Sequence, residues 1–169
     1  MNKDDSIRNA QNRYVKIIEK QPHKAVNTYR ATAVIEEGLT CRFTQGERSA
    51  VMDMPKTMGG DEAGPTPGFF ARAGIAGCVS MGIKQTAVMA GLALRSVTVE
   101  VETDFDDGAT LGLGPGNAAP LDTRLRILID TDVPKAEIAA LVDKALAIDP
   151  WFLALRDAQS VGVDVVLTT

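Results

Sequence analysis

Residue types able to perform nucleophilic or redox chemistry are scarce in this chain. Its 169 residues contain two cysteines, Cys41 and Cys78, and one histidine, His23. A Ser-His-Asp triad or a Cys-His pair would depend entirely on His23, and a four-ligand zinc site would lack ligands. We interpret His23, which follows Pro22, as a surface residue at a helix end. Chemistry in this chain must therefore rest on a thiol, on carboxylates or on a bound substrate, and we expect neither a metal nor an organic cofactor.

Composition and charge exclude several classes of protein. Hydrophobic residues make up 45% and charged residues 24% of the chain, which is typical of one globular domain. The net charge of −4 argues against a nucleic-acid partner, because binding to phosphate requires a basic surface. Uncharged runs such as residues 73–83 are far shorter than the roughly 20 residues that span a bilayer. With no apolar stretch behind Met1, no signal peptide is expected, and we predict a cytoplasmic protein without a membrane partner.

The patterning of apolar residues predicts an α+β fold in the order helix, three strands, long helix, two strands, two helices, strand. Helices are predicted where apolar residues recur at helical spacing, and strands where β-branched residues alternate with polar ones. Asp5 or Ser6 is expected to cap the first helix, and Asp149 the last one. The predicted elements cover residues 5–20, 26–35, 39–44, 48–54, 67–90, 96–105, 123–129, a helix opening at 132–134, 151–156 and 161–167.

The predicted helix over residues 67–90 is unusually rich in glycine, alanine and serine. Each glycine inside a helix costs about 1 kcal/mol relative to alanine. Close approach of another backbone would compensate this cost, so we expect a buried central helix that packs tightly against a second helix. Because such a helix has few large side chains to form a monomer core, we predict an obligate homodimer.

Four motifs, in the same order along the chain, resemble the OsmC/Ohr family. The run from Gly64 to Cys78 is similar to the family's Pro-rich turn and small-residue helix, which carries a peroxidatic cysteine. The other three are the segments 58–61, 90–101 and 145–150. The resemblance covers roughly residues 25–168. It implies two central helices packed between antiparallel β-sheets in an intertwined homodimer, with residues 1–24 as an N-terminal helical extension and 25–169 as the OsmC-like domain.

The resemblance also implies an activity, the thiol-dependent reduction of organic hydroperoxides. Cys78 matches the family's first cysteine, which attacks the peroxide. The second cysteine, which resolves the resulting sulfenic acid, stands in a Cys-Pro pair that is Asp149-Pro150 here. The family's glutamate, nine positions before the cysteine, is Phe69. The family's activating arginine comes from a variable upstream segment, where Arg48 or Lys56 is a candidate cation.

These departures bear on the reactivity of the Cys78 thiol. A cysteine pKa near 8.5 must be lowered by a cation or a helix N-terminus for fast reaction at neutral pH. Cys78 lies about three turns inside its helix, beyond the reach of the helix dipole, and apolar neighbours raise a thiol pKa. If the fold brings Asp149 close to Cys78, its negative charge disfavours the thiolate further.

Two hypotheses therefore stand side by side. In the first, Cys78 is a one-cysteine peroxidase that reduces a hydrophobic hydroperoxide and is regenerated by an external thiol. In the second, the dimer is catalytically degenerate and binds a small hydrophobic ligand in an interface pocket lined by Phe69, Phe70 and Trp151. Cys41 is interpreted as a core-facing residue, with a role as an alternative resolving thiol left open.

Overall fold

The structure, a computed structural model, describes residues 2–168 and confirms the predicted α+β class. Its residues form two compact units that divide between Gly74 and Ile75, inside the longest helix. Among the described residues no helix is both long and apolar enough to cross a membrane. The helices and strands are α1 (Lys3–Lys20), β1 (Thr32–Ile35), β2 (Cys41–Gln45), β3 (Arg48–Met52), α2 (Pro67–Ala90), β4 (Ser96–Asp104), α3 (Asp107–Thr110), β5 (Asp122–Asp130), α4 (Lys135–Leu146) and α5 (Pro150–Arg156).

The N-terminal helix α1 begins earlier than the sequence predicts. Its N-cap is Asn2, whose side-chain oxygen accepts a hydrogen bond of 2.8 Å from the backbone N–H of Asp5. The prediction that Asp5 or Ser6 caps this helix is therefore wrong. Asn2 satisfies a free N–H at the helix end, and Asp5 then lies in the first turn, where a negative charge is favourable.

Strands β1, β2 and β3 form the predicted antiparallel meander. The first strand is shorter than predicted, because residues 26–31 lie outside it. Its pairing begins at Thr32 opposite Thr44, and β2 ends one residue later at Gln45. Gly46, with a φ of 59°, then turns the chain back into β3. Only Gln45 of β2 lies beyond this first pair, so residues 26–30 have no β2 residue opposite them.

A buried carboxylate organises the segment between β3 and α2. Asp53 is 2% exposed and accepts hydrogen bonds from the hydroxyl of Thr40 at 2.9 Å and the backbone N–H of Met54 at 2.7 Å. It also accepts from the N–H groups of Asp61 and Ala63, each at 3.2 Å. Burial acts to raise the pKa of this carboxyl, but these hydrogen bonds outweigh burial and lower it. The charged carboxylate therefore fixes the loop that leads into α2.

The hydrophobic core of the C-terminal unit lies between one face of the β4–β5 sheet and helices α2 and α4. Along both strands inward residues are half-buried and alternate with exposed ones, as the sequence pattern predicts. From α2, Val79, Ile83 and Ala87 are buried, and α4 contributes Leu141 and Ala145. This packing fixes the second half of α2 against the sheet and α4.

The glycines of α2 do not have the neighbours expected from the sequence. A Cβ placed on Gly74 would meet nothing within 4 Å in the described chain, and one on Gly77 only the terminal methyl of Met81 at 3.7 Å. At Gly82 the nearest atom is a carboxylate oxygen of Asp149, at 3.3 Å. Within one chain, close approach of another backbone does not account for these three glycines. Packing against the helix of a second copy stays a prediction.

The last predicted strand is absent. Residues 158–168 lie outside helices and strands, and the side chains of Val161, Val163 and Leu167 are between 82% and 90% exposed. Alternation of apolar and polar residues favours a strand, but a strand also needs a hydrogen-bonded neighbour. The strand pairings described within this chain are those of β1 with β2, β2 with β3 and β4 with β5, and they do not include this segment.

Asp149 is the N-cap of α5, as predicted. Its Oδ1 accepts hydrogen bonds from the backbone N–H groups of Trp151 at 3.1 Å and Phe152 at 2.8 Å. Asp149→Ala should lower the free energy of unfolding by about 1 kcal/mol, because these donors lose their acceptor. Asp149→Asn should change it little, since an asparagine oxygen also caps a helix. Urea denaturation measures both values, and neutrality of both variants would contradict this role.

We expect the protein in solution to be a homodimer that buries more than about 2,000 Å². Exposed apolar residues in β1 and the C-terminal segment provide surface that a second copy can cover. Solution scattering at micromolar concentration should give twice the chain mass of 18.0 kDa. A monodisperse, folded monomer under these conditions would show that the prediction is wrong.

Candidate functional site

Cys78 lies in the middle of α2, in the part of the helix that belongs to the C-terminal unit. Its side chain is half-buried. Val79, the next residue, belongs to the core, and Gly82 follows Cys78 by one helical turn on the same face. The thiol is thus held on a rigid helix beside a position that has no side chain.

The carboxylate of Asp149 occupies the space that Gly82 leaves open. One of its oxygens is 3.3 Å from the position of a Cβ on Gly82, and the residue is only 4% exposed. The Cys78 thiol lies beside this carboxylate and beside the backbone N–H of Trp151, and the two groups act on its pKa in opposite directions. The site is therefore a thiol and a buried carboxylate, in contact at the N-terminal end of α5.

This environment raises the pKa of the Cys78 thiol above its ordinary value. Burial is the largest cause, followed by the hydrogen bond to Asp149, and the negative charge of that carboxylate adds to both. The N–H of Trp151 acts in the opposite direction, because it stabilises the thiolate. The sum leaves Cys78 a protonated thiol at neutral pH.

The contact between positions 78 and 149 limits the redox chemistry available. A cysteine at position 149 could form a disulfide with an oxidised Cys78, whereas a carboxylate cannot. The sequence predicts the effect of Asp149 on a nearby thiol, but Gly82 is not among the predicted site residues, although it makes room for the carboxylate. The signal that could have found Gly82 is its spacing of four residues from Cys78, which places both on one helix face.

The three aromatic residues of the predicted ligand pocket belong to different units of the chain. Phe69 and Phe70 lie in the first turn of α2, in the N-terminal unit, with their rings in edge contact at 5.4 Å and 87°. Phe69 is 52% exposed. Trp151, in the C-terminal unit, exposes 60% of its surface, and its backbone rather than its ring contacts the site.

The candidate cations and the second cysteine also belong to the N-terminal unit. Arg48 is the exposed first residue of β3, and Lys56 is an exposed residue of a short turn whose backbone N–H donates to Glu62. Their role toward the thiol stays a prediction. Cys41 is the half-buried first residue of β2, and it pairs with Ile35 on one side and Met52 on the other.

Two further features of the described residues concern metal binding and ligand binding. Among residues 2–168, no three His, Cys, Asp or Glu side chains are grouped so as to hold a metal ion. A cavity of about 590 Å³ lies in the C-terminal unit, beside the start of β5 and the end of α5. It is lined by Ala119, Pro120, Leu121, Asp122, Thr123, Leu125, Phe152, Ala154, Leu155 and Arg156.

Comparison with solved structures identifies several of the same fold. An OsmC-like protein from Mycoplasma pneumoniae has a TM-score of 0.66 at 18% identity, covering 77% of this chain and 88% of its own. An organic hydroperoxide resistance protein OsmC from Legionella pneumophila has a TM-score of 0.54 at 23% identity, with coverage of 78% and 90%. The organic hydroperoxide resistance protein OhrB of Bacillus subtilis has a TM-score of 0.51 at 18% identity, with coverage of 77% and 91%.

Sequence comparison agrees with this likeness. No curated protein matches the chain significantly. The family model described as OsmC-like protein matches residues 59–163, well over half of the chain, and this range includes both Cys78 and Asp149. The motifs, the α+β fold and this match together establish that the chain belongs to the OsmC/Ohr family.

Proposed function

We propose that this protein reduces small hydrophobic organic hydroperoxides through Cys78 alone, with an external thiol as the reductant, in a cytoplasmic homodimer. Membership of the OsmC/Ohr family supports the substrate class, and Cys78 stands where the family motif has its peroxidatic cysteine. The observation that carries the one-cysteine form of the proposal is the contact between Cys78 and Asp149.

The chemistry proceeds in balanced steps. The Cys78 sulfur attacks one peroxide oxygen, an S–O bond forms and the O–O bond breaks. The peroxide leaves as an alcohol, which takes up the thiol proton, and Cys78 becomes a sulfenic acid. One external thiol condenses with this sulfenic acid to a mixed disulfide and releases water. A second thiol then displaces Cys78, which returns as a thiol while the two external thiols become a disulfide.

Burial and the Asp149 carboxylate together set the pH dependence of the first step. Because the thiolate is the nucleophile, the rate follows the fraction of Cys78 that is deprotonated. Burial and the Asp149 carboxylate keep that fraction small at neutral pH. We therefore expect slow reduction at pH 7, with a rate that increases as the pH rises toward the pKa of the thiol.

A second candidate function is binding of a small hydrophobic ligand without turnover, at a dimer pocket lined by Phe69, Phe70 and Trp151. The raised pKa of Cys78 favours it, because a thiol that stays protonated is a poor nucleophile. Loss of the family's glutamate, here Phe69, and of its second cysteine, here Asp149, removes activation and resolution together.

The first test concerns the ionisation of Cys78. Iodoacetamide labelling followed against pH should give a midpoint above that of a free cysteine thiol, about 8.5. In Asp149→Asn the midpoint should decrease, because the amide carries no charge while it preserves the helix cap. Peptide mass spectrometry separates the labelling of Cys78 from that of Cys41. A midpoint below that of a free thiol in the unaltered protein would contradict this assignment.

The second test concerns turnover. With excess dithiothreitol, the protein should consume cumene hydroperoxide catalytically, and Cys78→Ser should abolish consumption while Cys41→Ser retains it. Below the pKa of the thiol the rate should rise about tenfold per pH unit. N-acetylcysteine at equal thiolate concentration is the reference. If the protein reacts no faster than this reference, the second candidate function is the correct one, and loss of activity in Cys41→Ser would make Cys41 a resolving thiol.

A further inference from the structure

We propose that Asp149 protects Cys78 from irreversible over-oxidation, because it keeps the sulfenic acid formed there in its protonated, poorly nucleophilic state. This inference rests on the proposed function, since it concerns the intermediate formed when Cys78 reduces a hydroperoxide. It assigns a chemical role to the residue that stands in place of the family's second cysteine.

The geometry holds the carboxylate against the sulfur. Two backbone N–H groups at the start of α5, those of Trp151 and Phe152, donate to one oxygen of Asp149 at 3.1 and 2.8 Å. The other oxygen lies against α2 beside Gly82, one turn from Cys78. With 4% of its surface exposed, Asp149 cannot turn toward water without losing the helix cap. The charge therefore stays beside the sulfur throughout the reaction.

Over-oxidation is a second attack by the same sulfur. The sulfenate anion attacks another hydroperoxide, a second S–O bond forms, the O–O bond breaks, and the products are a sulfinic acid and an alcohol. Sulfinic acid is not reduced by ordinary thiols, so this step inactivates the cysteine. The step competes with condensation between the sulfenic acid and the external thiol. Where no second cysteine resolves the sulfenic acid within the chain, that competition depends on how much anion is present.

A neighbouring carboxylate reduces the amount of that anion. Like charges in a partly buried site disfavour each other's ionised forms, by one to several pKa units. The sulfenic O–H, unlike the sulfenate anion, can donate a hydrogen bond to the carboxylate. Among the described residues, Asp149 is the ionisable side chain that acts on the Cys78 sulfur, and the N–H of Trp151 is the group that opposes it. Removal of the Asp149 charge alone should therefore increase the rate of the second oxidation, from sulfenic to sulfinic acid.

Asp149→Asn is the matched variant, because asparagine retains the shape of the side chain and an oxygen that caps α5. Both proteins are oxidised with cumene hydroperoxide from pH 6 to 10, with and without dithiothreitol. Mass spectrometry then measures sulfenic acid trapped by dimedone, sulfinic acid and unreacted Cys78. The quantity compared is the rate constant at which the sulfenic acid of Cys78 is converted to sulfinic acid, which does not depend on how fast the first oxidation is. Cys78→Ser gives the background, and thermal denaturation checks that each variant is folded.

At pH 7 we expect this rate constant to be about tenfold higher, or more, in Asp149→Asn than in the unaltered protein. The difference should shrink at high pH, where the sulfenic acid of both proteins is ionised. If Asp149→Asn does not fold, Gly82→Ala offers a second route, because its added methyl pushes the carboxylate by a few tenths of an ångström while the charge is kept, and it should change the rate constant in the same direction by less. Equal rate constants for this second oxidation at all pH values would overturn this inference and leave the proposed function intact. Absence of any sulfenic acid would overturn both.

Discussion

The carboxylate of Asp149 connects two parts of the C-terminal unit that the chain keeps far apart in sequence. One of its oxygens accepts hydrogen bonds from the free N–H groups at the start of α5, and the other lies on the face of α2 that carries Cys78. A buried charge is tolerated only where such hydrogen bonds compensate for the loss of water. Removal of the cap would therefore affect the start of α5 and the environment of the thiol together.

This arrangement depends on a rigid second half of α2. Val79 and Ile83, which flank the site along the helix, are 1% and 0% exposed in the core against β4, β5 and α4. Interiors packed at this density hold side chains in fixed positions. The thiol cannot move away from the carboxylate by a shift of the helix, so the chemical character of Cys78 follows from the core as much as from its immediate neighbours.

Local patterns in the sequence predict most of the elements, because short-range rules govern them. Helix α2 begins at Pro67 and ends at Ala90 as predicted, and the alternation in β4 and β5 places their apolar residues on one face. The strand predicted over residues 161–167 does not form, because alternation of apolar and polar residues contains no information about a hydrogen-bonded neighbour. The capping role of Asp149 is local, and the sequence predicts it correctly.

The site itself needed more than local rules. The motifs that resemble the OsmC/Ohr family identify Cys78 and the position now held by Asp149 as a pair. The proximity of Gly82 to Asp149, by contrast, depends on tertiary packing. Composition shows only that α2 is rich in small residues, and it favours an interpretation based on a neighbouring helix backbone. Within the chain the neighbour of Gly82 is a carboxylate, which no helical pattern encodes.

A Cβ on residue 82 would lie 3.3 Å from a carboxylate oxygen of Asp149, and this short distance constrains which residues can occupy position 82 during evolution. The Cβ of a side chain at position 82 would press on a carboxylate that two N–H groups hold in place, and the carboxylate would have to shift by a few tenths of an ångström. The identities of residues 82 and 149 are therefore coupled, although 67 positions separate them. Relatives that keep an aspartate before the proline of α5 should keep glycine at position 82. Those with a smaller residue at position 149 are free to carry alanine or serine there, so the two positions should vary together across the family.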